Sequence, residues 1–238
     1  MAIEKFVIQV CGWLIGIPLE ILVIVALLRG GYRRYPIVFL YVIVNFVTTL
    51  VDIPISTQSL LTHDLAVLRQ AARVYWVNEW ILQALIFATV LSLIDLAIST
   101  SRWRRLMRAG LAAGALLFAG TSFLIHYLPP PVKYGIWMTP WTRDLSVCAT
   151  ILDLALWMIL IASRKSDRRI LLISGALGMQ FTGEAIGEAI VSLSMPHMVE
   201  ALALTGSVVA VAANLACLYV WWQTFRLPFD REASLGCK

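Results

Sequence analysis

The most regular feature of the sequence is the alternation of long apolar runs with short polar connectors. The apolar runs cover residues 6–28, 37–57, 74–100, 109–128, 145–163, 170–194 and 200–224. A helix needs about 20 mostly apolar residues to cross the hydrocarbon core of a bilayer, and every run is close to that length or longer. The pattern predicts an all-α, polytopic membrane protein. We expect a single domain, residues 1–238, that is a bundle of seven transmembrane helices.

The basic residues divide the connectors into two alternating sets. One set, which includes the segment after the last run, contains 14 of the 19 Lys and Arg residues, and the other set contains 5. The positive-inside rule places the basic set in the cytoplasm. Because the number of spans is odd, the N-terminus is expected outside and the C-terminus in the cytoplasm, in the plasma (inner) membrane. The first run is expected to stay as a span, since Glu20 interrupts it and no small-x-small cleavage site precedes Arg29.

The overall composition agrees with a membrane protein and excludes several other classes. Hydrophobic residues make up 60% of the chain and charged residues 14%, whereas charged residues make up about a quarter of a soluble domain. The net charge of +5 comes from the connectors, and no groove of interleaved basic and aromatic residues predicts a nucleic acid partner. Cys11, Cys148 and Cys217 fall in apolar runs without a CxxC pair, so buried thiols are expected.

Two further patterns concern the ends of the spans. Residues 57–73 contain charged residues among leucines and are expected to form a short interfacial helix outside. Tryptophans near the run ends are expected at the membrane interfaces, where amphipathic rings accumulate. These tryptophans are Trp76, Trp80, Trp137, Trp141, Trp221 and Trp222.

Carboxylates inside the apolar runs are the feature that bears most directly on function. A charged side chain at the bilayer centre costs about 2.5–3.5 kcal/mol on the insertion scale and usually faces the bundle interior. With a rise of about 1.5 Å per residue from the basic connectors, Glu20 and Asp153 lie near mid-membrane, and the other candidates lie in the outer half. The candidate ion- or proton-binding residues are Glu184, Glu188, Glu79, Asp52, Asp153 and Glu20, with Gln180, Gln83 and His126 as supporting polar residues.

Spacing groups some of these residues on common helix faces. Glu184 and Glu188 lie four residues apart and continue a polar stripe that begins at Gln180. Glu79 and Gln83 form a second stripe of this kind with Tyr75. Two carboxylates at this spacing repel each other when both are ionised, so the pair is expected to hold a proton or a cation.

A GxxxG pair accompanies the carboxylates on the sixth run. Gly183 and Gly187 lie on a face rotated by about 60° from the carboxylate stripe. Small residues at this spacing let another helix approach closely. Close approach would help to remove water from the neighbouring carboxylates.

A purely structural role competes with function for each of these residues. Polar side chains also hold membrane helices together through hydrogen bonds that average about 0.6 kcal/mol. We favour that interpretation for an isolated residue such as Asp95, and we favour function for the acidic group in the outer half. His126 taken alone is more often a hydrogen-bonded histidine than a metal ligand.

Absent motifs narrow the choice of function. No predicted span contains a lysine, which excludes a retinal Schiff base. The Asp-Arg-Tyr and Asn-Pro-x-x-Tyr signatures of G-protein-coupled receptors are missing, and so are GxGxxG, GxxxxGK[ST], GxSxG and HExxH. We therefore expect no cofactor and no nucleotide hydrolysis.

Three functional hypotheses remain. The first is a small transporter or channel-like protein that handles protons or a small cation through the intramembrane carboxylates. The second is a non-catalytic sensor or subunit that acts through a cytoplasmic or membrane protein partner, and the third is an intramembrane metalloenzyme. The third would use Glu184, Glu188, Glu79 and His126 as metal ligands, although the Glu-x-x-His spacing of helix-bundle metal sites is missing. The sequence leaves the oligomeric state and the order of the helices around the bundle open.

Overall fold

The computed structural model contains seven long α-helices, as the apolar runs predict. It describes residues 2–61, 65–97, 104–127, 138–162, 168–194 and 200–226. Each of the seven helices contains a segment long and apolar enough to cross a membrane, so the prediction of an all-α, multi-pass membrane protein is confirmed. The helices are α1 Ala2–Leu28, α2 Pro36–Leu61, α3 Leu65–Ala97, α4 Arg104–Tyr127, α5 Met138–Ala162, α6 Arg168–Ser194 and α7 Glu200–Arg226.

The connection between α1 and α2 shows how the sequence sets helix ends. Gly30 has a φ of 131°, a backbone conformation that only glycine adopts without strain. A short 3₁₀ turn, Gly31–Arg33, follows, and α2 then begins at Pro36. Proline suits the first position of a helix because its missing N–H would have no partner there in any case. The basic cluster of this connector is therefore held in a tight turn.

The expected interfacial helix at residues 57–73 is not a separate element. Helix α2 continues to Leu61, and α3 begins at Leu65 and runs unbroken for 33 residues. No glycine or proline interrupts residues 65–97, so nothing in the sequence ends the helix before the third span begins.

Six helices form a ring and the seventh packs outside it. Contacts join α1 to α2, α2 to α3, α3 to α5, α5 to α6, α6 to α7, and α7 back to α1. Helix α4 packs against α3 and α5 from the outside, and α3 also touches α6 across the ring. The interior of the ring is therefore bordered by helices that are distant in sequence.

The distribution of polar and apolar side chains is that of a protein whose solvent is lipid. Leu116 and Leu117 on α4 are 74% and 70% exposed, and Ile161 on α5 is 68% exposed. In contrast, Glu20 and Asp153 are only 2% and 3% exposed. Charged groups are costly on a lipid-facing surface, so they lie inside the bundle while leucine and isoleucine cover its outside.

Two of the tryptophans predicted to lie at the membrane interfaces are buried within the bundle. Trp221 is fully buried, packs edge-on against Tyr41 with ring centroids 5.7 Å apart, and donates a hydrogen bond to the carbonyl oxygen of Ile173. Trp141 is also buried. Trp137 lies outside the described residues. The cysteines differ as well, because Cys148 and Cys217 are buried as expected but Cys11 is exposed on α1.

The closest helix pair is α6 and α7, which pack antiparallel along the GxxxG face. A Cβ atom on Gly183 would overlap the Cβ of Ala213, and one on Gly187 would lie 2.6 Å from the carbonyl oxygen of Gly206. Neither position of α6 has room for a side chain. The two glycines therefore let the helix backbones meet, as their spacing predicts.

Candidate functional site

A cavity of about 520 Å³ lies between α2, α3, α6 and α7. It lies toward the end of the bundle at which α2 and α6 end and α3 and α7 begin. Four carboxylates from three helices line it: Asp52, Glu79, Glu184 and Glu188. We call this space the acidic cavity. The structure thus brings together four of the six predicted ion- or proton-binding residues, although their role in binding stays a prediction.

One wall of the acidic cavity is the junction of α6 and α7. Glu184 and Glu188 line it from α6, together with Gly187 between them. On the α7 side the lining residues include Gly206 and Ala210, which carry little or no side chain. The small lining residues of α7 therefore leave open space in front of the carboxylates.

Helix α3 contributes the second predicted stripe. Glu79 and Gln83 both line the acidic cavity, and Gln83 Nε2 donates a 3.2 Å hydrogen bond to Glu79 Oε1. Gln83 is 5% exposed, and its Oε1 atom has no hydrogen-bond partner among the residues that the structure describes. In this stripe, Glu79 Oε1 therefore accepts a hydrogen bond, whereas Gln83 Oε1 accepts none from the described residues. The side chain of Tyr75 lies outside the described part of the chain.

The stripe on α6 is tied to α2 by its glutamine. Gln180 Nε2 lies 3.0 Å from Glu184 Oε1 and 3.0 Å from the hydroxyl oxygen of Tyr41, so the amide can donate to both. Gln180 is 4% exposed and Tyr41 is 3% exposed, and both line the inner part of the acidic cavity. The tyrosine is a cavity residue that the sequence did not single out.

Asp52 joins α2 to α3 through an asparagine that the sequence pattern did not indicate. Asn78 Nδ2 donates a 3.4 Å hydrogen bond to Asp52 Oδ1. Asn78 directly precedes Glu79, so a single turn of α3 supplies both a carboxylate to the cavity and a donor to a second carboxylate.

Three of the four carboxylates of the acidic cavity, Asp52, Glu79 and Glu184, have no basic counterpart among the described residues. Asp52, Glu79 and Glu184 line the same cavity, so their charges repel one another when they are ionised. The partners of these three side chains are the neutral amides of Asn78, Gln83 and Gln180. No described Lys or Arg forms a salt bridge with any of the three. A buried carboxylate without a counter-charge is costly, so this arrangement favours the uptake of protons or a cation.

Glu20 lies next to the acidic cavity but does not line it. Its Oε1 atom accepts a 2.6 Å hydrogen bond from Asn45 Nδ2 and a 3.4 Å hydrogen bond from the Thr49 hydroxyl. Asn45 itself lines the acidic cavity, so Glu20 is one hydrogen bond away from it.

Asp153 lies apart from the acidic cavity, between α5 and α6. Ser174 Oγ donates a 2.6 Å hydrogen bond to Asp153 Oδ1. A Cβ atom on Gly178 would lie 2.6 Å from Asp153 Oδ2, so the glycine makes room for the carboxylate. The two predicted mid-membrane acids therefore have different surroundings, and only Glu20 adjoins the acidic cavity.

His126 belongs to a third location, between α4 and α5. Its Nε2 atom lies 3.0 Å from Asp144 Oδ2, and the Ser122 hydroxyl donates a 2.8 Å hydrogen bond to the same oxygen. Arg143 Nη2 lies 3.6 Å from the other oxygen of Asp144. His126 does not line the acidic cavity, and its membrane depth alone gave no indication of this.

The structure does not bring together the four residues of the metalloenzyme hypothesis. His126 is paired with Asp144 and lies away from Glu79, Glu184 and Glu188. Within the described ranges, no three His, Cys, Asp or Glu side chains are grouped so that they could hold a metal ion.

Comparison with known proteins does not indicate a function for this site. The chain has no significant match among protein-family models, curated proteins or solved structures. The acidic cavity is therefore the feature of this seven-helix membrane protein that bears on its function.

Proposed function

We propose that the chain is a small membrane transporter or channel-like protein that moves protons or a small cation through the acidic cavity. One observation supports this most directly. Asp52, Glu79 and Glu184 face one cavity inside a lipid-exposed bundle, and their described partners are neutral. Carboxylates held in this way inside a membrane protein are typical of ion pathways and proton relays.

The polar groups are stepped along the helices, as a pathway requires. Glu188 lies one helical turn nearer the end of α6 than Glu184, which corresponds to about 6 Å along the helix axis. Gln180 lies a further turn inward and contacts Tyr41. At the inner end, Asn45 connects the cavity to Glu20. A cation or proton entering at Glu188 would therefore meet an acceptor at each successive turn.

Flux into liposomes tests this proposal. Purified protein is reconstituted, and proton and monovalent cation fluxes are compared between the wild type and the Glu184→Gln/Glu188→Gln variant. Both substitutions keep the shape and a hydrogen-bonding oxygen of the side chain and remove the charge. We expect the double variant to reduce flux to the level of protein-free liposomes.

The matched control is Asp144→Asn, which removes a carboxylate from α5 that does not line the acidic cavity. We expect its flux to equal that of the wild type. Equal flux in all three proteins would show that the cavity carboxylates do not carry the ion. Absence of any flux from monodisperse wild-type protein would contradict the transport proposal altogether.

The second candidate function is a membrane subunit or sensor that acts through a partner. The observation that favours it is the outer face of α4, the helix that packs outside the ring. A Cβ atom on Gly110, Gly114 or Gly120 would meet nothing within 4 Å in the described part of the chain. Such a face resembles the small-residue surfaces on which membrane helices associate. Copurification of a stoichiometric membrane protein, lost when Gly114 is replaced by leucine, would support this function.

A further inference from the structure

The size of the acidic cavity narrows the class of cation that fits it, provided that the proposed transport function is correct. A volume of about 520 Å³ lies in the range of about 300–1,000 Å³ that is usual for small organic ligands. A bare inorganic cation needs several ligands converging at about 2–2.6 Å. The described acidic side chains line a wider space instead, and no three of them are grouped as metal ligands.

An unsatisfied buried acceptor indicates that the ligand carries N–H or O–H donors. Gln83 is 5% exposed and its Oε1 atom has no described hydrogen-bond partner, while its Nε2 atom is already engaged with Glu79. A buried amide oxygen without a partner costs about 1–3 kcal/mol, so a donor is needed there. Gln83 also borders a groove between α3, α4 and α5, but that groove is otherwise lined by apolar and aromatic residues. Of the two spaces that Gln83 borders, the acidic cavity is the one lined by other polar and charged side chains, so it is the better fit for a ligand with N–H donors.

The rest of the lining indicates a cation with a hydrocarbon part. Leu82 and Ile86 on α3 and Val211 on α7 line the acidic cavity beside the carboxylates. Trp76 also lines it, and the face of an indole ring attracts a desolvated ammonium group. An inorganic cation gains nothing from such apolar surface, whereas a methylene chain does.

From these observations we propose that the acidic cavity binds a small organic ammonium ion, with its N–H groups donating to Gln83 Oε1 and to the carboxylates of Glu79 and Glu184. Its hydrocarbon chain lies along Leu82, Ile86 and Val211. The charge of the ammonium group compensates the repulsion among the carboxylates, and its hydrogen atoms satisfy the free amide oxygen.

Two matched ligands test this proposal without any transport measurement. Binding of n-butylammonium and of butyltrimethylammonium to purified full-length protein is measured by isothermal titration calorimetry at pH 7, at constant ionic strength, with sodium chloride as the third probe. Both organic cations have the same chain and charge, but only n-butylammonium has N–H donors. We expect n-butylammonium to bind at least about tenfold more tightly than the other two, as the gain of a hydrogen bond to a charged group implies.

Variants of Gln83 distinguish the loss of the hydrogen bond to the ligand from a general disturbance of the fold. Gln83→Leu is expected to weaken n-butylammonium binding about tenfold, while Gln83→Glu, which keeps an acceptor oxygen, restores it. Equal affinity for the two organic cations, or unchanged affinity in Gln83→Leu, would overturn the proposal. Proton or sodium flux without preferential amine binding would overturn this inference and leave the transport function standing. Absence of both flux and binding would overturn both.

Discussion

At the scale of single residues, three acids inside the bundle are each paired with a neutral donor. Glu20 accepts from Asn45, Asp52 from Asn78, and Asp153 from Ser174. A neutral donor stabilises a carboxylate less than an arginine does, so the negative charge of the carboxylate stays available to a cation. The same pairing fixes the carboxylate between two helices, so each of these residues also has a structural role.

Asp153 provides a residue-scale prediction because it lies away from the acidic cavity. Asp153→Asn keeps an oxygen that can accept from Ser174 and should change the free energy of unfolding by less than about 0.6 kcal/mol. Asp153→Leu leaves the serine without its acceptor and places a larger side chain against Gly178, so it should cost about 1–3 kcal/mol. Unfolding titrations in mixed micelles measure both values. Equal stability of the two variants would show that the hydrogen bond and the space at Gly178 are unimportant.

The residue scale also shows what the sequence could and could not predict about the site. A carboxylate in an apolar run is conspicuous, so Glu79, Glu184 and Glu188 were found from the sequence alone. Asn45 and Asn78 were missed because their importance depends on which helices are neighbours, a long-range property that periodicity does not contain. Equal depth in the membrane does not determine position around the bundle axis, so the sequence contained no indication that His126 lies beside Asp144.

At the scale of helices, local sequence accounts for most of what is observed. Apolar length predicts seven spans because each helix must satisfy its own backbone hydrogen bonds in lipid. The ends of the helices depend on single residues: Gly30 follows the end of α1, and Pro36 begins α2. Residues 65–97 contain no glycine or proline, so α3 extends beyond its apolar span. Hydropathy alone therefore does not give the residue at which this helix begins.

The glycine face of α6 gives the prediction at this scale. Gly183→Val should force α6 and α7 apart, because even a Cβ atom would overlap Ala213, and overpacking of this kind costs about 1–3 kcal/mol. The matched control is Gly114→Val on α4, where a Cβ atom meets nothing within 4 Å among the described residues. Thermal unfolding of the detergent-solubilised proteins should show a lower midpoint for the first variant only. If both midpoints fall equally, the effect comes from replacing a helical glycine and not from the α6–α7 contact.

At the scale of the whole molecule, the order of the helices is the property that the sequence left open. The ring places α2 and α3 beside α6 and α7, and the acidic cavity exists only because of that arrangement. The direction in which the bundle is inserted stays a prediction from the basic connectors. This prediction matters for function, because it places the carboxylate-rich end of the cavity outside the cell.

Thiol labelling in intact cells tests the predicted orientation. With the native cysteines replaced, Ser207→Cys introduces a thiol on the wall of the acidic cavity, and Arg33→Cys introduces one at the exposed turn between α1 and α2. The positive-inside rule predicts that a membrane-impermeant cationic methanethiosulfonate reagent modifies the first thiol in intact cells and the second only after permeabilisation. The opposite pattern would mean that the cavity opens to the cytoplasm, so that any cation it binds would be taken from inside the cell. The cavity carboxylates also attract a cationic reagent. The Glu184→Gln/Glu188→Gln substitutions should therefore slow the labelling of Ser207→Cys. The labelling of Arg33→Cys, which lies outside the acidic cavity, should stay unchanged.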